Sequence, residues 1–267
     1  MHCIPIYQVD AFADAVFGGN PAAVVPLAEW LPDETLQAIA AENNLSETAF
    51  LIPGRDPVPL RWFTPRLEVK LCGHATLASA FVLFEFLEAG REAVTFETLS
   101  GRLIVTREGD RLSMDFPSIG SERVEDEAIP AALLQGLGAA PDEVRFTADD
   151  WNYIAVFADE ATVAGLRPDF ASLERLHPHG VSVTAPGDVV DFVSRYFVPS
   201  YGIPEDPVTG SIHCALAPYW AGRLARERLA ACQVSERGGR IDIEFTGERV
   251  HLRGTAVTYM TGEIVVP

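Results

Sequence analysis

The amino-acid sequence predicts an α+β fold of two pseudo-symmetric halves, each a curved, mainly antiparallel sheet wrapped around a central helix. Three observations lead there. Short β-rich segments recur along the chain. Two stretches, Gly73 to about Leu87 and Gly210 to about Leu224, have helical length and are apolar on nearly all sides; such a helix must be buried all round, and a sheet curved about it would bury it. The order strands, apolar helix, strands then occurs twice.

Taken in order, Ile4-Pro5-Ile6-Tyr7-Gln8-Val9 reads as a strand, and Pro21-Ala22-Ala23-Val24-Val25 as a second after the Gly18-Gly19-Asn20 turn. Pro32 to Glu42 has helical spacing, with Leu36, Ile39 and Ala40 on one face and Asp33 and Glu34 in the first turn. Ala49–Ile52 and Leu60–Phe63 are strands bounded by proline and glycine, and the first apolar helix ends at Gly90. Strands follow at Ala93–Glu97 and Arg102–Thr106, and Glu108-Gly109-Asp110 turns the chain into Arg111–Phe116. The acidic stretch Ser121 to Glu127 is the expected linker. Beyond it come a short helix (Ala131 to Leu137), strands at Tyr153 to Phe157, Gly180 to Ala185 and Asp191 to Phe197, and the second apolar helix. Strands at Ala231–Val234, Ile241–Phe245, Arg249–Leu252 and Ala256–Tyr259 complete the chain. The expected division is residues 1–120, residues 121–254, and a terminal strand within 255–267 that returns to the first half.

Bulk properties exclude several functions. The 267 residues carry a formal net charge of -18 and no block of Lys and Arg, which argues against nucleic acid and against an anionic membrane surface as partners. Lys70 is the single lysine, so Schiff-base chemistry has one candidate only. The longest apolar run, Ala75 to Phe84, stops at Glu85, short of a membrane span. The first residues, Met1-His2-Cys3-Ile4, lack the basic and apolar segments of a signal peptide. Cys3, Cys72, Cys214 and Cys232 are scattered, and the expectation is free thiols in a reducing cytoplasm. No dinucleotide or phosphate-loop fingerprint is present, so no organic cofactor is expected.

The two apolar helices open alike. Cys72-Gly73-His74-Ala75-Thr76 precedes the first, and Asp206-Pro207-Val208-Thr209-Gly210-Ser211 the second. Each places glycine and small polar residues where backbone N–H groups emerge from a helix start, and these attract anions. Two such ends facing one cleft would grip a small carboxylic acid. Context alone leaves the neighbouring polar residues open. Glu47, between Ser46 and Thr48, reads as an exposed turn carboxylate or as an acid/base at a strand entry. His74 reads as a capping or core histidine or as a substrate contact, and Asp206 as a turn aspartate or a site residue. His177-Pro178-His179 lacks a clustered third metal ligand and reads as a loop pair, so no metal is expected. His213 and Cys214 are expected to pack in the second helix; His2 and His251 suggest nothing.

Several stretches together resemble the PhzF phenazine-biosynthesis-like family, within the diaminopimelate epimerase-like fold. They are Val9–Phe12, Gly19–Val24, Asn44–Phe50, Arg61–Pro65, Glu68-Val69, Leu71–Thr76, Asp115–Pro117, Glu205–Ser211 and Arg237–Gly239. They span nearly the whole chain in the family's order. The resemblance implies a cofactor-independent isomerase, with Glu47 as catalytic acid/base and His74 and Asp206 lining the active site. Ser211 and backbone around Gly73, Thr209 and Gly210 would bind substrate, with Asn20 and Ser46 as further candidates for the pocket. It also implies a homodimer. Racemases and epimerases of this fold use two cysteines on opposite faces of the substrate carbon. Cys72 matches one, but Pro207-Val208-Thr209-Gly210 has none at the other position. Two-base racemisation needs an acid on each face, so Cys72 reads as structural. The alternatives are an amino-acid epimerase or racemase and a non-catalytic metabolite-binding protein.

Overall fold

The computed structural model describes residues 2–147 and 152–266; Met1 and the side chain of His2 lie outside it. The chain divides into two compact units, Met1–Asp115 with Arg253–Pro267, and Phe116–Leu252. The first unit runs β1 (His2–Ala11), β2 (Asn20–Pro26), α1 (Asp33–Asn43), β3 (Glu47–Leu51), β4 (Val58–Phe63), β5 (Glu68–Val69), α2 (Gly73–Val82, extended by a π-turn at Leu83–Leu87), β6 (Ala93–Thr98), β7 (Gly101–Glu108) and β8 (Arg111–Pro117). The second runs β9 (Glu122–Arg123), α3 (Ala131–Leu137), β10 (Glu143–Thr147), β11 (Asn152–Val156), α4 (Glu160–Gly165), α5 (Phe170–Glu174), β12 (Gly180–Pro186), β13 (Phe192–Val198), β14 (Ile203–Asp206), α6 (Gly210–Leu224), β15 (Arg228–Gln233), β16 (Gly239–Phe245) and β17 (Arg249–Gly254). The last strand, β18 (Ala256–Val266), pairs antiparallel with β1.

In the first unit α2 is buried at every residue except half-buried Phe81 and packs on β1, β2 and β3. Alanine, serine and threonine at Ala75, Thr76, Ala78, Ser79 and Ala80 let the strands approach closely. The hydroxyls of Thr76 and Ser79 donate to the carbonyls of Cys72 and Ala75 one turn back, so no polar atom there goes begging. Leu36 and Ile39 of α1 cover a second core with Val25, Phe50 and Phe63.

The second unit builds its buried helix differently. Trp220 of α6 lies flat against Phe192 of β13, 5.4 Å between centroids, and its Nε1–H donates to Thr184 Oγ1 of β12. Pro218 within α6 cannot donate to the carbonyl of Cys214; the backbone N–H of Ile119 takes that place at 3.0 Å. The remaining faces of the sheet are covered by a core that includes Leu133, Val163, Leu173 and Phe197.

The two units share one topology. In the first, β1–β2 is antiparallel, β2–β3 parallel through α1, β3–β4 and β4–β5 antiparallel, β4–β6 parallel through α2, and β6–β7 antiparallel. The second repeats the series as β10–β11, β11–β12 through α4 and α5, β12–β13, β13–β14, β13–β15 through α6, and β15–β16. Each central helix is therefore a crossover between parallel strands, and the sheets are more mixed than expected. The match reaches single residues. Arg61 forks onto Glu68 at 2.7 and 2.8 Å and lies 5.1 Å from the Phe63 ring; Arg195 forks onto Glu205 at the same distances and lies 5.0 Å from Phe197.

Some expectations differ from the fold. Ser121 to Glu127 is no extended linker: β9 pairs with β10, and Asp126–Ala128 forms a 3-10 turn, within the second unit. Strand β10 and helices α4 and α5 were not anticipated.

Candidate active site

Helix α1 ends on Asn44, whose left-handed backbone (φ 50°) reverses the chain after the last turn. This delivers Glu47 to the first position of β3, opposite Ala22 of β2. The glutamate is half-buried. His74 is the second residue of α2 and is 4% exposed. Its Nε2 lies 3.1 Å from Glu47 Oε2, an ion-pair approach, and Oε2 makes no aligned hydrogen bond. On the other side of the ring, Nδ1 lies 3.1 Å from the side-chain amide nitrogen of buried Asn20 and 3.6 Å from Cys72 Sγ. An amide nitrogen only donates, so in the neutral ring Nδ1 accepts and the proton sits on Nε2, facing Glu47; in the imidazolium both nitrogens donate, and the Asn20 amide must turn its oxygen toward Nδ1–H.

Burial by itself would lower the His74 pKa. The charges of Cys72 and Glu47 outweigh it and hold the imidazolium well above the ordinary histidine range. Burial, helped by the Glu47 charge, pushes the Cys72 thiol up to about 11. Cys72 thus keeps its proton at neutral pH. The first unit brings Asn20, Glu47, Cys72 and His74 together; Ser46 is half-buried beside Glu47. One ligand atom from each of Glu47, Cys72 and His74 lies within 4.8 Å of the others. No side chain caps the start of α2 at Gly73.

In the second unit Asp206 is the last residue of β14 and is buried. Its Oδ2 accepts from the Thr209 hydroxyl at 2.5 Å. The turn into α6 is clamped by Gln233, fully buried at the end of β15. Gln233 Nε2 donates to Asp206 O at 2.6 Å, and its Oε1 accepts from Thr209 N–H at 2.9 Å. Ser235 donates to Pro207 O. His213 donates from Nδ1 to Thr209 O at 2.7 Å, and its Nε2 lies 3.3 Å from Ser194 Oγ. Burial holds the His213 pKa down at about 4, so this ring is neutral. Gly210 is buried and Ser211 half-buried at the uncapped start of α6.

Sequence reasoning missed Gln233 and the bonding role of His213. A glutamine at an inward position of the apolar strand Leu229-Ala230-Ala231-Cys232-Gln233 was the available signal. His177 and His179 make ring contacts with Tyr201 and with Phe146 and Tyr153. No helix among the described residues is long and apolar enough to cross a membrane.

A family model described as phenazine biosynthesis-like protein, PhzC-PhzF, matches residues 9–262. An uncharacterized isomerase of Pseudomonas aeruginosa is 55% identical over 262 residues, covering 98% of each chain. The crystal structure of a phenazine biosynthesis protein PhzF family member from Enterococcus faecalis is 47% identical, with TM-score 0.93 over 99% of this chain and 100% of that one. At 11% identity and TM-score 0.62, a hydroxyproline epimerase from Agrobacterium vitis shares the fold over 98% of this chain and 92% of its own. The fold is thus the α+β, epimerase-like one expected.

Proposed function

The chain is an isomerase of the PhzC-PhzF family of phenazine biosynthesis-like proteins, and we propose that it moves a proton within a small carboxylic acid, with Glu47 as the acid/base. The carrying observation is the pairing of half-buried Glu47 with buried His74 at 3.1 Å beside a helix start that no side chain caps. Glu47 removes a proton from an activated carbon and returns it elsewhere on the same face. His74, oriented by Asn20, holds the polar group of the substrate, and backbone N–H groups at the start of α2 meet its developing negative charge. Asp206 is read as a catalytic residue of the second unit that orients the substrate's polar group, and Thr209, Gly210 and Ser211 as substrate-binding residues there, with Ser46 a further candidate in the first. Four free cysteines suit a reducing compartment, and the reading includes a cytoplasmic homodimer.

The test is solvent-deuterium incorporation into substrate. Glu47→Gln is expected to lose turnover and exchange by about 10²- to 10⁴-fold while binding substrate nearly as well; exchange retained at the wild-type rate would overturn the assignment. The contact between Cys72 Sγ and the His74 ring favours one second reading, an epimerase with the thiol as acid. Inversion at a single carbon of the product would select it over a shift isomerase.

A further inference from the structure

Two buried polar atoms of the first unit stand on one face of its sheet, and neither is hydrogen-bonded among the described residues: Oε2 of Glu47 and the indole Nε1 of Trp62. Trp62 is 1% exposed, and a donor hidden that deeply without an acceptor is costly and rare in a folded protein. Its place follows from the register. Ala49 of β3 pairs with Trp62 of β4, and Thr48 with Phe63, so Trp62 stands diagonally from Glu47 across the two strands. Side chains alternate along a strand, which puts Glu47, Ala49 and Trp62 on one face. It is the face that α2 covers, because Glu47 meets His74 there. Diagonal neighbours are about 7–8 Å apart at the backbone, within reach of an aromatic and a long side chain. Ala49, next to both, presents only a methyl group.

The second unit shows where a ring at this position points. By strand register, Tyr196 occupies the place of Trp62, Gly180 that of Glu47 and Asn152 that of Ala22. The Tyr196 hydroxyl reaches over Gly180, 2.2 Å from where a Cβ would be, and donates to Asn152 Oδ1 at 2.8 Å. The ring of the first unit carries a donor too. Alanine replaces the asparagine that would accept from it, and a carboxylate replaces the glycine beneath it. The acceptor that the register places beside the Trp62 N–H is Glu47.

We propose that Trp62 is a positioning residue for Glu47: its indole N–H is the partner that the carboxylate takes up when substrate occupies His74. Its use in turnover rests on the acid/base reading of Glu47; the contact itself does not. Oε2 lies 3.1 Å from His74 Nε2, and on that reading the Nε2 proton is given to the substrate. The carboxylate then needs another donor to keep its aim at the substrate carbon. Indole suits the task because it donates and never accepts. It fixes one carboxylate oxygen and leaves the other to take the substrate's proton and return it. The indole proton stays on nitrogen throughout.

The test withdraws His74 and watches the indole by NMR, in the full chain with ¹⁵N-labelled tryptophan and no ligand. The Trp62 N–H signal is assigned by its loss in Trp62→Phe; should that variant not fold, 3-benzothienylalanine at position 62 keeps the ring's outline and removes the N–H. His74→Leu, or His74→Ala where leucine does not fit, is expected to move the Trp62 indole proton downfield and to slow its exchange with water by about tenfold or more. Adding Glu47→Ala is expected to cancel both changes. A signal that ignores the loss of His74, or a shift that survives Glu47→Ala, overturns the contact. Turnover is read by solvent-deuterium incorporation: loss of the N–H at position 62 is expected to lower kcat by about tenfold with KM nearly unchanged. A shifted indole with unchanged kcat overturns the positioning role alone. Exchange retained in Glu47→Gln overturns the acid/base reading and the positioning role together.

Discussion

His213 offers a test in which the magnitude follows from the structure. The ring is fully buried, lies 5.9 Å from Phe192 with 29° between planes, and is tied by Nδ1–H to Thr209 O at 2.7 Å. Burial is what holds its pKa at about 4, against 6.5 for a free histidine. In the unfolded chain the ring takes up a proton below 6.5; in the native protein it does so only below about 4. Between those values the unfolded state binds more protons, so stability rises with pH. The contribution is complete above pH 6.5 and is lost as pH falls toward 4. A gap of that size amounts to about 3 kcal/mol, at roughly 1.4 kcal/mol per pH unit.

Many carboxylates also titrate in that window, so the measurement is a difference. Asparagine at 213 retains a donor for Thr209 O and has no titration. Urea unfolding of wild type and His213→Asn at steps from pH 7.5 to 4 is expected to show the wild type losing about 3 kcal/mol relative to the variant. Parallel stability curves across the window would refute the reasoning, because a ring that is solvated or freely protonated in the native state has no such linkage.

Two other predictions concern backbone and buried amides. Gln233→Leu strips partners from the Thr209 N–H and the Asp206 carbonyl, and is expected to cost about 2 kcal/mol or more in urea unfolding. Gly19 adopts φ +61°, and a Cβ there would meet Ala11 O at 2.1 Å, whereas Gly54 at φ +75° has open space. Gly19→Ala should therefore lower stability by more than about 2 kcal/mol and Gly54→Ala by about 1 kcal/mol, compared by thermal melting.

How much was legible in the sequence differs by scale. The two buried helices were plain because their apolar surface closes all the way round, and the α1 face was plain from Leu36 and Ile39. Helices α4 and α5 span six and five residues, too short for any periodicity, although Asp159 and Asp169 cap them and were readable signals. The repeat was read from element order alone. Its residue-level trace was also present: Arg61-x-Phe63 with Glu68 five residues before Gly73, and Arg195-x-Phe197 with Glu205 five residues before Gly210. An insertion of three residues between Arg and Glu obscured it. Near the site, single-residue context left Glu47 and His74 open and only the family resemblance pointed to them, and nothing local linked Asn20 or Gln233 to their partners. Those bonds cross 54 residues in one case and 24 to 27 in the other, which only the folded sheet brings together.

The repeat also explains why the proposed chemistry is one-sided. Thr48 pairs with Phe63 in the first unit and Val181 with Phe197 in the second, so the position of Glu47 in β3 corresponds to Gly180 in β12. The same alignment matches Cys72 with Thr209, His74 with Ser211, and Thr76 with His213. The last two keep one function by different means, since each bonds the carbonyl one turn back, Cys72 O or Thr209 O. At the Glu47 position the units part. A Cβ at Gly180 would lie 2.2 Å from the Tyr196 hydroxyl and 2.6 Å from Asn152 Oδ1, and those two groups hydrogen-bond to each other at 2.8 Å. The space a carboxylate would need is filled by a tyrosine that stands where the first unit has Trp62. A glutamate could enter there only by expelling a bonded pair, a change costing more than the side chain could return. Two copies of one scaffold thus retain the bonds that fix a helix start and differ in the groups beside it: Glu47, Cys72 and His74 in the first unit, Asp206 with the hydroxyls of Thr209 and Ser211 in the second. The proposed transfer of one proton on one face of the substrate needs an acid/base from the first set alone and leaves the second set to binding and orientation.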